Sequence, residues 1–480
     1  MTQNGGFGAA FPPEVIAIVG VSRNETMHHP GYTGARLFRM LREAGFQGRI
    51  YPVNPRASEI DGVKAYPNVT SVPEHLDLVT ITVPAASVPQ VLEDCIAAKA
   101  LNVQICTSGF GETGAAEGKK LESRMREIAM RGGLRLIGPN CMGFHIPSIN
   151  MKMFEEVPLV QGPVAFISQS GGHARDFLLR GPELGFGFSK MISYGNALVM
   201  DAPDFLEYFA ADPETHIICM YLEGIKNGRR LTDLVRQISP VKPVIIWKAG
   251  LTYSGARAAA SHTGSLAGDR QIWEAFFAQT GAIRVGSINE MAEVAMSFLR
   301  LKPLRGKRVA VLASGGGNSV ATGDVCAEEG VDMPALSAET RVKLTEFVSL
   351  VNQGVMNPMD VPGVLSHVPS LRRALALLAA DPLIDIIILR LSPEFLVGLL
   401  SVVKAEFLDC VQDPNGERPG GKQVVVAMSS DGSVGEPDKY ARQLREAGVT
   451  VYGSLSSACR ALNRFASYHK FVADSKAPYP

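Results

Sequence analysis

Short apolar runs alternate with helical stretches along most of the chain. The runs are rich in Val and Ile and end in a glycine or polar turn, as in VIAIVGVS (15–22) and LDLVTITVP (76–84). The stretches between them, such as GARLFRMLREAG (34–45), carry apolar residues at helical spacing. Runs of this kind are typical of buried parallel strands. Their alternation with helices predicts a doubly wound α/β sheet.

The strand–helix pattern restarts twice, which predicts three domains of one class. A second unit opens at GPVAFISQSGG (162–172) and a third at KRVAVLASGGGNS (307–319). The segments before them, 151–162 and 301–306, place Pro, Gly or charge between apolar stretches, as domain boundaries do. At roughly 150 residues per domain, a chain of this length suits three. We predict three doubly wound parallel-sheet domains, with the limits 1–150, 151–302 and 303–480.

Composition excludes several classes of function. Lys plus Arg equals Asp plus Glu, 47 each, so net charge gives no reason to expect nucleic acid. The seven cysteines are an odd number with no CxxC pair, which argues against disulfides and against a metal cluster. The first residues do not resemble a signal peptide, and no apolar run reaches the roughly 18 residues of a membrane span. We expect a cytoplasmic protein with no membrane association and no metal ligands of its own.

Polar and glycine-rich turns follow the strands of the first unit. In an open parallel sheet such turns meet at one edge, where ligands bind. Arg56 could pair there with a phosphate, or it could be a solvated loop residue. The first helix, near Gly34, could offer amides to a phosphate, or its start could be ordinary fold geometry. The turns that outline this crevice are GVSRN (20–24), YPVNPR (51–56), VPA (83–85), TSGFGETG (107–114) and IGPNCMG (137–143).

Two further turns have the composition of phosphate-binding nests. SQSGGHA (168–174) and ASGGGNSVATG (313–323) each join a strand to a helix, and their glycines follow serine. Converging backbone amides at a helix start bind anions. Either turn alone could be a tight connection, but the pair favours an anion site.

One histidine lies in a segment suited to phosphoryl chemistry. His262 is in GARAAASHTGSLAG (255–268), where small neighbours would let its ring approach a bound phosphate. A neutral imidazole nitrogen is a good nucleophile toward phosphorus. Glu223 ends an apolar strand and could hold one ring nitrogen while the other attacks. The other eight histidines are expected to be ordinary surface or core residues, with His173 less clear because it borders the first nest.

These motifs together resemble a known enzyme family. The chain is similar, over about residues 10–470, to the α subunits of ADP-forming acetate–CoA ligases and, more distantly, to succinyl-CoA synthetase. The resemblance implies a Rossmann-like CoA-binding domain followed by two flavodoxin-like ligase domains. It is carried by GVSRN, YPVNPR, VPA, GPNCMG, SQSGG, YLEGI, GARAAASHTGSLAG and SGGGNS.

The resemblance also implies a role for each matching residue. His262 would carry the phosphoryl group, and Glu223 would steady it. Phosphate would lie between two helix starts, formed by Ser170, Gly171 and Gly172, and by Gly315, Gly316, Gly317 and Asn318. CoA would lie against Gly20, Ser22, Arg23, Val53, Asn54, Arg56, Pro84 and Asn140, with Arg56 standing where a lysine is more usual.

The implied reaction is acid + CoA + ATP ⇌ acyl-CoA + ADP + Pi, through an acyl phosphate and a phosphohistidine. We find no ATP-grasp segment in the 480 residues, so a separate β subunit is expected to bind ATP or ADP with Mg in a hetero-oligomer. SQSGGHA has Gly-His where Ala-Leu is common, and SYGNALVMD (193–201) replaces an acidic loop. Both changes lie near the expected acyl pocket and favour a small carboxylic acid other than acetate, larger or aromatic.

Two other classes of function remain open from the sequence. A CoA-binding regulatory or scaffold protein could keep the fold without the reaction, although it would have no use for His262 and Glu223. An NAD-dependent dehydrogenase could use the first unit. The absence of GxGxxG and of an acidic residue ending the second strand counts against it.

Overall fold

The computed structural model describes residues 11–22, 33–255, 257, 268–304, 306–313, 316–349, 354–412, 422–429 and 437–476. The chain divides into two compact units. The first unit comprises residues 1–182 and 186–288, and the second comprises residues 183–185 and 289–480.

The first sheet of unit 1 is parallel and has the strand order β2-β1-β5-β6-β7. Three helices connect its strands, and Thr33 caps the first of them by accepting a hydrogen bond from the Arg36 amide. A two-stranded antiparallel hairpin, β3 with β4, follows β2. The strands are β1 Val15–Val19, β2 Arg49–Val53, β3 Glu59–Ile60, β4 Val63–Lys64, β5 Leu78–Ile81, β6 Asn102–Ile105 and β7 Arg135–Ile137, and the helices are α1 Gly34–Glu43, α2 Val88–Ala97 and α3 Ala116–Gly132.

The second sheet of unit 1 has the order β13-β12-β11-β9-β10-β8. Its strands are parallel except β8, which pairs antiparallel with β10 at the edge. The strands are β8 Gly143–His145, β9 Gln161–Ser168, β10 Phe188–Ser193, β11 Ile217–Leu222, β12 Val244–Lys248 and β13 Ile283–Val285, and the helices are α4 Gly171–Glu183, α5 Ala202–Ala211, α6 Gly228–Ile238 and α7 Arg270–Thr280.

The edge strand β8 is the one antiparallel strand of these two five- and six-stranded sheets, as far as the described residues show. Only residues 138–142 separate β7, at the edge of the first sheet, from β8, at the edge of the second. The chain therefore leaves the first sheet and enters the second within a few residues. A single hydrophobic cluster extends across both sheets, from Ile16 and Phe38 to Phe144, Ile167 and Phe205.

Unit 2 contains a third sheet, parallel, in the order β15-β14-β16-β17-β18. One hydrophobic cluster packs its inner strands against the surrounding helices. The strands are β14 Val309–Ala313, β15 Met359–Asp360, β16 Ile386–Leu391, β17 Gln423–Met428 and β18 Val451–Tyr452, and the helices are α8 Ile288–Arg300, α9 Gly316–Glu328, α10 Ala338–Thr345, α11 Pro362–Leu365, α12 Val368–Ala380, α13 Pro393–Val411, α14 Pro437–Glu446 and α15 Leu455–Lys476.

The predicted fold class is confirmed: the molecule is α/β and is built on doubly wound, largely parallel sheets. The domain limits at 150 and 302 stay a prediction. In the described part of the chain, no helix combines the length and the apolar character needed to cross a bilayer.

Candidate functional site

The carboxyl ends of the first sheet's strands form an edge that we call the first crevice, made by β1, β2, β5, β6 and β7 with the turns after them. Gly20 directly follows β1 and has φ +102°, in the region that favours glycine. A Cβ on Gly20 would lie 2.8 Å from Thr82 Oγ1, and one on Gly34 would lie 2.5 Å from the same atom. The first turn of α1 therefore approaches the end of β1 closely, because neither position carries a side chain.

Hydrogen bonds tie the turns of the first crevice to one another. The Asn54 side chain donates to Val21 O at 2.6 Å, and Thr107 Oγ1 donates to Val83 O at 2.7 Å. The Asn140 amide donates to Thr107 O at 2.9 Å, and Asn140 has φ +56°. Each bond links the ends of two strands, so the crevice has a fixed backbone rim.

The structure brings most of the predicted CoA-edge residues to this rim. Val53 O accepts from the Gly20 amide at 3.0 Å, and the Arg56 amide donates to Asn54 Oδ1 at 2.7 Å. Arg56 is exposed, so its guanidinium is available to an anion. Ser22, Pro84 and Asn140 follow β1, β5 and β7 at the same edge, whereas Arg23 lies outside the described residues.

The first predicted nest begins α4, in the second sheet. The Ser170 side chain accepts from the His173 amide at 3.3 Å, which satisfies one of the amides that a helix start leaves without an intrahelical acceptor. Gly171 is packed closely, because a Cβ there would lie 2.5 Å from Met142 Cγ. Gly172 is exposed, and among the described residues only Ser170 Oγ, at 3.8 Å, would come near a Cβ added there. The start of α4 is thus open to solvent on the Gly172 side.

Glu223 lies directly after β11 and is buried, at 5% exposure. Its backbone is held by Gln169, whose Oε1 accepts from the Glu223 amide at 2.5 Å and from the Gly224 amide at 2.9 Å. Tyr221 donates its hydroxyl to Glu223 Oε1 at 3.2 Å. Gln169 immediately precedes Ser170, so one short segment both begins α4 and fixes the turn that carries the carboxylate.

Lys248 places a second buried charge beside Glu223. It ends β12 at 5% exposure, and its Nζ donates to Glu223 O at 2.8 Å. The ammonium also lies 5.3 Å from the centre of the Trp273 ring, a favourable cation–π distance. Burial lowers the pKa of Lys248 to about 8, against the opposing effect of Glu223. We call Gln169, Glu223 and Lys248 the carboxylate site.

Sequence reasoning identified Glu223 but missed Gln169 and Lys248. A signal existed for both, since each is a polar residue that ends a buried strand or directly follows it, as Glu223 does. Amide and ammonium side chains in such places need partners, and the partner here is the backbone around Glu223. Their roles could not be read from spacing, because the three residues come from three separate strands.

The remaining predicted site residues lie wholly or partly outside the described part of the chain. His262 and Gly315 lie outside the described residues, and the side chains of residues 316–320 are not described. Gly316, Gly317 and Asn318 form the first turn of α9, which follows β14. Among the residues that are described, no group of three or more His, Cys, Asp or Glu side chains could hold a metal ion.

Comparisons with known proteins agree with this geometry. Residues 14–147 match the family model of a CoA binding domain, and residues 161–298 match that of a succinyl-CoA ligase like flavodoxin domain. These two ranges contain the first crevice and the carboxylate site respectively.

Full-length relatives extend the match over nearly the whole chain. The α subunit of acetate–CoA ligase [ADP-forming] II of Pyrococcus furiosus is 38% identical over 444 residues, covering 92% of this chain and 93% of the relative. Acetate–CoA ligase [ADP-forming] I of Archaeoglobus fulgidus is 36% identical over 97% of this chain, which spans only 64% of that relative's length. A solved structure of dinucleotide forming acetyl-coenzyme A synthetase 1 of Ca. Korarchaeum cryptofilum, in complex with phosphate and ADP, has 31% identity and a TM-score of 0.79, covering 97% of this chain and 98% of that one.

Proposed function

The chain belongs to the ADP-forming acyl-CoA synthetase family, and on that premise we propose that it is the α-type subunit of an acyl-CoA ligase. The reaction is acid + CoA + ATP ⇌ acyl-CoA + ADP + Pi. Nucleotide and Mg bind to a separate ATP-grasp β subunit in a hetero-oligomer. The observation that carries the proposal is a buried carboxylate, Glu223, held by Gln169 beside the open start of α4.

In the direction of ATP formation, the reaction has three steps. A phosphate oxygen attacks the thioester carbonyl, the C–S bond breaks, and CoA leaves as the thiol with a proton from phosphate. A ring nitrogen of His262 then attacks phosphorus, the bond from phosphorus to the acyl oxygen breaks, and the carboxylate leaves. The phosphoryl group finally moves from His262 to ADP on the partner.

The chain's own groups would position the reactants and balance charge, which phosphoryl transfer requires more than covalent help. Amides of the α4 start, at Ser170, Gly171 and Gly172, would hold phosphate. The family resemblance gives Gly315, Gly316, Gly317 and Asn318 the same proposed role. Glu223 would accept a hydrogen bond from the ring nitrogen of His262 that does not react, which stabilises the ring as it gains charge.

CoA would bind along the first crevice. The turns at Gly20, Val53 and Asn140 would line the ligand, and the exposed Arg56 offers a cation for a phosphate of CoA. Gly20 and Gly34 let α1 begin close against the end of β1, where a Cβ at either position would meet Thr82 Oγ1. Ser22, Arg23, Asn54 and Pro84 are proposed as further contacts.

The test uses the half-reaction that needs no partner. The purified chain is incubated with acyl-CoA and radiolabelled phosphate, and the label should appear on the peptide that contains His262 with the acid lability of a phosphohistidine. His262→Asn should abolish labelling, while His216→Asn, a change at an exposed histidine of the described residues, should leave it intact. CoA binding without labelling, with or without a nucleotide-binding partner, would favour a non-catalytic scaffold. Binding of a nicotinamide dinucleotide in place of CoA would favour a dehydrogenase.

A further inference from the structure

Three aromatic rings meet beside the carboxylate site. Tyr221 of β11 and Trp247 of β12 are neighbours in the sheet register, and their ring centres are 4.9 Å apart. The His173 ring, from the first turn of α4, lies 4.5 Å from Tyr221 and 4.7 Å from Trp247. Such distances and their tilted arrangements are those of packed aromatic groups. We call His173, Tyr221 and Trp247 the aromatic wall.

The aromatic wall borders both parts of the proposed phosphoryl-transfer site. His173 directly follows Gly172, the open glycine of the α4 start, and the Tyr221 hydroxyl donates to Glu223 at 3.2 Å. An acyl group is joined to phosphorus through a single oxygen in an acyl phosphate. A phosphate held by the α4 amides therefore brings the acyl group it carries close to these rings.

The wall is only partly covered by protein. Tyr221 is buried, but the His173 side chain is 34% exposed and Trp247 is half-buried. Burial lowers the pKa of His173, against the opposing charges of Asp176 and Glu223, which favours the neutral ring. The side that faces solvent is thus a surface of tilted aromatic rings, rather than a cation that would attract the carboxylate of the acid.

We infer that the aromatic wall is the acyl-specificity surface and that it selects a carboxylic acid bearing a flat aromatic group over acetate. The inference rests on the proposed function and names its substrate class. An aromatic acyl group would cover the exposed parts of His173 and Trp247 and pack against them in the tilted or edge arrangements that aromatic rings favour, whereas an acetyl group is too small to do either. Burial of a larger apolar group in a matching pocket raises kcat/KM by roughly ten- to two-hundredfold.

The test compares two thioesters in the half-reaction. The purified chain is given radiolabelled phosphate with either phenylacetyl-CoA or acetyl-CoA, and the initial rate of protein labelling is measured over a range of thioester concentrations. We expect kcat/KM for phenylacetyl-CoA to exceed that for acetyl-CoA by at least about tenfold. Trp247→Leu and His173→Leu should each reduce this ratio by about tenfold.

Conservative and distant variants separate specificity from folding. Trp247→Phe and His173→Phe keep a ring and should retain most of the preference. Phe277→Leu removes a partly buried ring that packs on Trp273 in α7 and should leave the ratio unchanged. Each variant's thermal unfolding is recorded, and only the ratio between the two thioesters is compared, because a loss of folded protein lowers both rates equally.

The possible outcomes distinguish the two proposals. Labelling that is equal for both thioesters, or faster with acetyl-CoA, would overturn the specificity inference and leave the proposed function standing. A preference for phenylacetyl-CoA that survives both Leu variants would also overturn it. Absence of labelling with either thioester would contradict the proposed function and therefore also the specificity inference.

Discussion

The carboxyl edges of the two sheets in unit 1 differ in the groups that form them. The rim of the first crevice is backbone held in place by uncharged donors, such as the Asn54 side chain to Val21 O and the Asn140 backbone amide to Thr107 O, and its cation, Arg56, is exposed. The carboxylate site instead buries two charged side chains, Glu223 and Lys248, each at 5% exposure. One edge offers neutral donors and acceptors to a ligand, and the other holds charge away from water.

This difference suits separate roles for the two edges, one in binding CoA and the other in the reaction. A backbone rim can follow a long ligand at many points, and each contact contributes little alone. Buried charges interact more strongly, because the surrounding dielectric is low, but each must be paired or it destabilises the fold. Changes in the carboxylate site should therefore affect the rate strongly, whereas changes in the first crevice should affect the affinity for CoA moderately.

The largest effect is expected for Glu223→Gln. The variant keeps the shape of the side chain but loses the charge that would support His262, so labelling from acyl-CoA and phosphate should slow by about a hundredfold or more. KM for acyl-CoA in this half-reaction, which depends on the other edge, should change little. Glu117→Gln, at an exposed position on α3, is the matched control. Comparable rates for the two variants would show that the buried carboxylate is not needed.

The next effect in size is expected for Gln169→Leu. This change removes the acceptor of two buried amides, those of Glu223 and Gly224. A buried donor left without a partner costs about 1–3 kcal/mol, so the free energy of unfolding in urea should fall by about 2 kcal/mol or more. The labelling rate should fall with it, by roughly tenfold, because the carboxylate loses its fixed position. A variant of native stability would show that Gln169 does not hold the turn.

The fold could be predicted further than the site. Runs such as 15–22 and 162–168 identified parallel strands because an apolar run is read directly from composition. The antiparallel strand β8 was not expected, since Gly143–His145 is short and its partner β10 is distant in sequence. Periodicity within a segment carries no information about which segments pair.

The candidate site shows the same limit at the level of residues. Glu223 was predicted because a charge that ends an apolar strand is unusual by itself. Gln169 and Lys248 became meaningful only once β9, β11 and β12 were adjacent. The aromatic wall is a similar case. His173 and Tyr221 are 48 residues apart in sequence, yet the centres of their rings are 4.5 Å apart.

A smaller effect is expected at the first crevice, for Arg56→Ala. Its exposed guanidinium would pair with a phosphate of CoA in high-dielectric surroundings, where such pairs contribute about 1 kcal/mol or less. KM for CoA should rise about fivefold, less so at high salt, and the rate at saturation should not change. Arg56→Lys should recover most of the affinity, and Arg124→Ala on α3 is the control. A large fall in the saturating rate would contradict the division between the two edges.

The smallest effect is expected from Lys248, and it depends on the burial of its ammonium group. Its pKa is about 8 in the folded chain, against 10.5 for a free lysine, so between these values the unfolded chain binds more protons than the folded one. The free energy of unfolding should therefore rise with pH, by about 1 kcal/mol between pH 7.5 and pH 9, relative to Lys248→Met. The measurement is urea unfolding of both proteins across this range. Parallel pH dependences would mean that Lys248 titrates as a solvated lysine, and the carboxylate site would then resemble the first crevice in keeping its charge in water.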